Sequence, residues 1–435
     1  MSVFAFLAIA ALCAAAGAAV LGIFSDERDT PTGRVVVALV AGMIVLHLEL
    51  SALQFLGVRW TPWSILLLLF LAGVAWWFLP RLVAGSAEPR WGWPEAVALS
   101  AIAVFATLAF NLWIVFPDLV FHWGVKGERY ALAGGVDWAF LAQPWNWRSH
   151  PDYPNLLPEL YAATAVLGGW RETAIMGWPV LFLVLVVLAA RQGLAGSGVP
   201  DGVRHVATGG LAALVTAFAI AHILAGSADW LPALAVLIAW PALVGPPSAK
   251  GDLRIALAAA LAAASKIEGA PLMGFMVGVS LVRRGLWRRG VDWQAVARTA
   301  GLPLLISGLW WWACRHHGLF QPFDTGSLDL TRWREVGGAL VAIAVSRGTW
   351  GAPLILLALP ILLFQRGQRA LVAVVCGQLL FCLYIYMSAP LDPAYSVKSS
   401  FARLTFHLWP TVAMACVVAV DRLVRRRESC DPSAP

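Results

Sequence analysis

The residues best placed to do chemistry lie in one polar, Trp-rich stretch, FPDLVFHWGVKGERYALAGGVDWAFLAQPWNWRSHPDYP, residues 116–154. It holds Asp118, His122, Lys126, Glu128, Arg129, Asp137, Arg148, His150 and Asp152 between two apolar segments. A hydrophobic chain that keeps so many ionisable groups beside its spans is expected to build a site at the water interface. Asp118, His122, Lys126 and Arg129 are spaced four, four and three apart, which on a helix places them on one face. Leu119, Trp123 and Tyr130 fall on an apolar, aromatic side, the pattern of a helix lying at the interface with its polar face up. Asp118 follows directly on a span and Pro117. A carboxylate there can take a proton from an acceptor hydroxyl while nearby cations hold an anionic leaving group. The structural alternative is a solvated face carrying an Asp–Lys stripe.

Four further constellations follow. In HPDYPNLLPELYA (150–162), Pro151, Pro154 and Pro158 stiffen the chain, and His150, Asp152 and Tyr153 are candidates to line a site. The alternative is an interfacial turn that His150 caps. A metal held by His150, Asp152 and Asp118 has no ligand spacing behind it, so no cofactor is assigned, although the residue types are compatible with a divalent ion. GSADW (226–230) offers Asp229 either as a carboxylate at the same surface or as an N-cap. In SKIEG (265–269), a lysine at mid-bilayer costs ~2.5–3.5 kcal/mol even on the lenient insertion scale. Residues two apart do not face each other on a helix, so Lys266 and Glu268 pair only if the helix breaks at Gly269. Lys266 either reaches a lipid phosphate or polar cavity, or forms a structural ion pair at a hairpin tip. In KSSFARLTFHLWP (398–410), Arg403 and His407 are four apart on one face, with Lys398 preceding them. Arg403 can grip a phosphate with two parallel N–H bonds, or snorkel to the headgroups. The chain has four lysines against 27 arginines, and Lys126, Lys266 and Lys398 all fall within these constellations. An Arg-biased chain thus uses Lys where a compact ammonium matters.

The elements that must position these residues are membrane helices. Of 435 residues 60% are hydrophobic and 13% charged, with mean hydropathy +0.76, outside the range of soluble domains. Apolar stretches recur at 2–24, 34–56, 63–79, 93–115, 174–190, 205–224, 230–244, 297–314, 351–364, 370–388 and 408–421. The expected fold is therefore all-α and polytopic, with about 11–13 transmembrane segments and a large extracytoplasmic first loop containing juxtamembrane helices. The runs are too long and continuous for a β-barrel. The net charge of +7 is no nucleic-acid signal, because the basic residues cluster at helix ends. Arg283, Arg284, Arg288, Arg289, Arg366 and Arg369 mark cytoplasmic loops. Arg422, Arg425, Arg426 and Arg427 put the C-terminus in the cytoplasm, and Arg81 and Arg90 place residues 116–154 outside. The first helix lacks a basic n-region and a small-residue cleavage site, and reads as a retained span. Six cysteines without CxxC spacing support neither a disulfide framework nor a zinc site.

The chain divides into an N-terminal four-helix segment (1–115), the outer loop with the proposed site (116–172), the remaining membrane body (173–427) and a polar tail (428–435). Two segments fit poorly as spans. Residues 156–170 have both flanks outside if 174–190 runs inward to Arg191, so they are expected to lie on or dip into the outer surface. Residues 255–282 have basic residues at both ends and breakers at Gly269 and Pro271, the pattern of a hairpin whose first arm climbs only ~18 Å.

Taken in order, Asp118 with its downstream W-x-x-K (Trp123, Lys126), HPDYP, G-x-A-D, K-x-E-G and R-L-x-x-H-L-x-P resemble the bacterial GT-C glycosyltransferases. These are polytopic enzymes related to the protein mannosyltransferases and the aminoarabinose transferases of lipid A. The resemblance runs from Pro117 to Pro410. It implies inverting transfer of a sugar from a polyprenyl-phosphate carrier to an acceptor on the extracytoplasmic face of a bacterial inner membrane, with no nucleic-acid partner. By the same resemblance Asp118 is the base, and Arg403, Lys266 and Lys126 hold the donor phosphate. His122, His150, Asp152, Tyr153, Asp229, Glu268 and His407 then line the substrate site. The chain departs from the family where Leu119 follows Asp118 in place of a second acid, and where HPDYP stands in place of K-P-P-L. Trp138, Trp145 and Trp147 are candidates to stack on sugar faces or to anchor at the interface. The competing expectation is a transporter or flippase of a lipid-linked saccharide or small anion that uses Lys266 and Glu268 as a midplane site. A weaker one is a non-catalytic partner in envelope assembly.

Overall fold

A computed structural model of the chain describes residues 2–25, 29–65, 91–111, 117–285, 292–319, 327–346, 351–388 and 392–430. The expected span at 63–79 lies, from residue 66 onward, outside the described residues, as do Arg81, Arg90, Arg288 and Arg289. Among the described residues all regular structure is helical, with no strand. The chain is a polytopic helical membrane protein.

Among the described residues six helices are long and apolar enough to cross a membrane: Val3–Phe24, Pro31–Phe55, Pro94–Asn111, Glu172–Gly196, Asp201–Ala221 and Arg366–Ser388. Pro393–Phe406 and Trp409–Arg426, bent by 47° at a short break, make a seventh if they form one span. This is fewer than the eleven to thirteen expected from the apolar stretches. Two of those stretches are helices of 15 and 14 residues, Trp230–Val244 and Gly351–Phe364. At 1.5 Å per residue they rise only ~22 Å, short of the ~30 Å hydrocarbon core. The stretch at 297–314 sits in a 25-residue helix, Trp293–His317, long enough but made polar by Arg298, Arg315, His316 and His317.

The elements that frame the site are α1 (Ser2–Phe24), α2 (Pro31–Phe55), α3 (Pro94–Asn111), α4 (Gly124–Ala133), α5 (Leu156–Gly168), α6 (Gly177–Gly196), α7 (Asp201–Ala221), α8 (Trp230–Val244), α9 (Ala249–Ser265), α10 (Gly269–Arg283) and α11 (Trp293–His317). They are followed by α12 (Trp333–Ala344), α13 (Gly351–Phe364), α14 (Arg369–Ser388), α15 (Pro393–Phe406) and α16 (Trp409–Cys430). The core centres on α8 and α9. Every residue of α8 from Trp230 to Trp240 is buried, as is every residue of α9 from Arg254 to Ser265. α8 is enclosed by α6, α9, α14 and α16, and α9 by α8, α10 and α11. A helix apolar on all sides has no polar face to give to water, so it is covered all round.

Two expectations about the membrane body are corrected. α5 does not lie on a surface: Leu156 through Ala165 are all buried, packed on α4 and α1. Its apolar residues surround the helix and lack the polar face that an interfacial helix needs. Arg191 does not mark the end of a span, because α6 continues to Gly196. Arg191 is instead buried, 3.6 Å from Glu95 and 4.3 Å from the centre of the Trp91 ring. Paired in this way, a cation can sit inside the fold and need not snorkel out of it.

The hairpin expected at 255–282 is present. α9 ends at Lys266, whose backbone is extended, and α10 begins at Gly269. A Cβ on Gly269 would collide with the Ala262 carbonyl, so the tight return of α10 onto α9 needs glycine there.

Candidate functional site

The site is assembled by four short segments that end or interrupt helices. The first begins at Asp118. Residues Leu119–Trp123 form a π turn that leads directly into α4. A π turn inserts extra backbone into the helix and rotates the following side chains out of 3.6-residue phase, and such turns recur at functional sites. This corrects the expected polar stripe. Asp118 and Lys126 are buried and His122 is half-buried, so the expected polar face points into the protein and not into water. Arg129 leaves the set, pairing with Asp137 at 3.7 Å and lying over the Phe140 ring.

The second segment is the turn between α7 and α8, which carries Ser227 and Asp229. Gly226 has φ +83°, and a Cβ there would meet the Cβ of Leu119 at 2.7 Å. Glycine therefore lets this turn close against the residue after Asp118. Asp229 stands at the N-cap position of α8 but makes no side-chain cap bond. Its carboxylate is spent on the site. The third segment is the α9–α10 break with Lys266 and Glu268, and the fourth is the end of α15 with Arg403 and His407.

These segments meet at Arg403. Its Nη1 donates to Asp118 Oδ1 at 3.3 Å, and its Nη2 donates to Asp118 Oδ2. Its Nε and Nη2 donate to Asp229 Oδ2 at 2.8 and 2.6 Å, and Nη2 also reaches Ser227 Oγ at 3.1 Å. The other Asp229 oxygen, Oδ1, accepts from Lys266 Nζ at 2.9 Å and lies 2.9 Å from His407 Nε2. Ser227 Oγ donates to Asp229 Oδ2. Burial pushes the Asp229 carboxyl upward, but Arg403, Lys266 and His407 outweigh it and hold its pKa well below the usual carboxylate range. Lys266 lies 3.7 Å from Glu268, so the pair expected from SKIEG forms across the helix break, but the nearer partner of Lys266 is Asp229.

A second cluster adjoins the first. The His122 and His150 rings lie 4.9 Å apart, Tyr153 packs on His150 at 4.5 Å and Trp123 lies 5.9 Å from Tyr153. Lys126 Nζ donates to the His150 carbonyl at 3.1 Å and sits 4.7 Å from the centre of the Trp123 ring. Burial lowers the Lys126 ammonium to about 7, against the pull of Asp152 and Cys314. Burial, aided by the nearby His122, Lys126, Lys266 and Arg403, lowers His150 to about 3, so its imidazole is neutral. Burial lowers His122 as well, with Asp118 opposing. Asp152 is buried, and its carbonyl accepts from Trp310 Nε1 at 2.7 Å.

Backbone strain marks the same two turns. Among the described residues two non-glycines have positive φ, His150 at +47° and Ile223 at +50°. One lies in the His150–Tyr153 turn and the other opens the turn to Asp229. A bulky or β-branched residue in this region is unfavourable and persists only where its surroundings impose it, as at functional sites.

All eleven site residues expected from the sequence thus fall in one of the two clusters: Asp118, Asp229, Lys266, Glu268, Arg403 and His407 in the first, and His122, Lys126, His150, Asp152 and Tyr153 in the second. Lys398 does not join them and is exposed on α15. Trp138 has its ring stacked on His317 at 4.0 Å and near Trp310, while Trp145 and Trp147 are exposed. Ser227 was missed. Its place two residues before an aspartate, where a hydroxyl commonly bonds locally, was the available signal. Among the described residues no three His, Cys, Asp or Glu side chains converge as metal ligands. No family model, curated protein or solved structure matches the chain.

Proposed function

We propose that this chain is a membrane glycosyltransferase of the GT-C kind. It moves a sugar from a polyprenyl-phosphate carrier to an acceptor, with inversion, on the extracytoplasmic face of a bacterial inner membrane whose cytoplasmic side holds the C-terminus. One observation carries this reading. Four sequence motifs far apart in the chain converge on a single network in which Arg403 bridges Asp118 and Asp229, with Lys266 and His407 on the same Asp229.

The two carboxylates take different roles because their surroundings differ. The Asp229 side chain is 0% exposed and is saturated by Arg403, Lys266, His407 and Ser227. It is the anchor that sets the two cations. The Asp118 side chain keeps 11% exposure, at the edge of the network, and is the base. In the reaction the acceptor oxygen bonds to the anomeric carbon as Asp118 takes its proton. The bond from that carbon to the phosphate oxygen breaks, and the phosphate leaves with the electron pair. A lipid phosphate leaves already ionised, so no strong general acid is required; preorganised cations are. Arg403 supplies Nη1, which is held to Asp118 only at 3.3 Å, and Lys266 supplies an ammonium buried beside it.

A second reading rests on the α9–α10 break. Two half-length helices that meet at a buried Lys266 paired with a partly buried Glu268 are the kind of broken helix on which secondary transporters bind their cargo. The experiment that separates the readings incubates purified protein in lipid with radiolabelled polyprenyl-phosphate sugars and envelope extract, with Asp118→Asn alongside. Label passing to an acceptor in the wild type, and not in the variant, supports the transferase. Label that stays on every carrier, together with flux in liposomes that depends on Glu268, supports the transporter.

A further inference from the structure

A cavity of about 580 Å³ lies between the 47–55 end of α2 and the 306–317 end of α11. It is separate in chemistry from the charged network: among the described residues no lysine or arginine lines it. Its walls are largely apolar and aromatic, and Phe55 and Trp312, 75% and 50% exposed, stand beside each other with ring centres 6.1 Å apart. On the side toward α5 stand three buried polar residues. His47 Nδ1 and Glu159 Oε2 are 2.5 Å apart and satisfy each other. Asn155 is 1% exposed; its Oδ1 accepts from Tyr130 at 2.9 Å, while its Nδ2 has no hydrogen-bond partner.

We propose that this cavity binds an uncharged amphipathic lipid whose head offers an oxygen to Asn155 Nδ2 while its chain lies along α2 and α11 and leaves past Phe55 and Trp312. A buried amide donor without a partner costs about 1–3 kcal/mol, which an acceptor oxygen on a ligand removes. A hydroxyl, ester carbonyl or sugar oxygen meets that need, and an ammonium head cannot accept the bond. A phosphate head is disfavoured, because it would enter beside Glu159 where, among the described residues, no lysine or arginine stands to compensate it. The volume is that of a ligand-sized pocket, enough for a head and the first part of a chain. The same turn serves both sites: His150 and Tyr153 face His122 and Trp123, whereas Asn155 faces this cavity. The assignment stands on the cavity alone and does not require the transferase reading.

The test uses full-length protein in phosphatidylcholine nanodiscs with two photoactivatable probes, a diacylglycerol and an alkyl glucoside, each with a diazirine in the chain. At least one is expected to label peptides covering 47–55 and 306–317. Unlabelled compound of the same class should compete at least tenfold better than phosphatidylglycerol or hexadecane. Asn155→Leu should lower capture several-fold. Ala52→Trp, a change at an exposed wall position, should abolish it without shifting the thermal midpoint. Absence of label from both peptides with both probes overturns the proposal, as does equal competition by phosphatidylglycerol or hexadecane, or undiminished capture by Ala52→Trp.

Discussion

Arg403 holds Asp118 and Asp229 at once, through both terminal nitrogens on one side and through Nε and Nη2 on the other. The two acids are therefore linked through one guanidinium, yet their loss has different consequences. Asp118→Asn keeps the shape, and Arg403 retains Asp229 as a counter-ion. Transfer should fall by ~10²–10⁴, the usual worth of a general base, with the thermal midpoint nearly unchanged. Asp229→Asn leaves Lys266 and Arg403 short of charge in a buried place. Removing one partner of a buried pair costs about 3–5 kcal/mol, so this variant should melt early or fail to accumulate. Melting curves of both variants beside transfer rates check the split; equal destabilisation by the two would refute the separate roles.

Arg403→Lys keeps the charge and loses the fork. A single ammonium cannot span two carboxylates and still offer a donor nitrogen to phosphate. Transfer should drop by ~10²–10³, the scale of losing a preorganised donor to developing charge. Near wild-type rates in this variant would mean that charge alone, without geometry, is used at this position.

The course of the chain was legible wherever one period governed a segment. The apolar runs at 230–244 and 351–364 coincide with the ends of α8 and α13, and Arg403 and His407, four apart, do reach the same carboxylate. Legibility stopped where a period changed. The π turn after Asp118 is silent in a pattern read at 3.6 residues, so the phase between Asp118 and the α4 side chains that follow was not legible, and which of Lys126 and Arg129, three apart on α4, the neighbouring elements cover was hidden as well. Burial by neighbours was hidden too. An apolar run such as 156–168 reads the same whether lipid or protein covers it, and only the packing of α4 and α1 on α5 decides. The amphipathic α12 was not foreseen.

Lys126 gives a pH signature. Its ammonium titrates at about 7 in the fold against 10.5 ordinarily. Between those values the unfolded chain holds the extra proton, so stability rises with pH across that window and sits at its lower level below about 7. Thermal midpoints of the wild type should climb from neutral toward alkaline pH, and Lys126→Met should flatten the climb. Parallel curves for the two proteins would remove Lys126 as the source.

His150 acts at the acid end. Its imidazole is lowered to about 3 from 6.5, so the unfolded chain binds the extra proton between those values. Stability contributed by the neutral ring is full above about 6.5 and is lost as pH falls toward 3. His150→Asn removes the titration and suits the φ of +47°, since asparagine tolerates the left-handed region. Its midpoint should decline less than the wild type's on acidification, which scanning calorimetry or a dye-based melt can read. A steeper decline would show that another group governs acid sensitivity here.

Gly226→Ala tests whether the geometry of the α7–α8 turn sets the network. At φ +83° an alanine pays about 1–2 kcal/mol for a left-handed backbone, and its Cβ meets the Leu119 Cβ at 2.7 Å. Both effects push the Ser227–Asp229 turn away from Asp118, and Arg403 must then lose one of its carboxylates. The variant should stay folded with a modestly lower melting point and lose transfer out of proportion to that change, because a displacement of ~1 Å at a reacting group can cost ~10²-fold in rate. Gly285 is the control: it has φ +73° with open space around it, so Gly285→Ala should show the backbone cost without the loss of rate. Matching rates for the two variants would mean that the approach of this turn to Leu119 does not position the site.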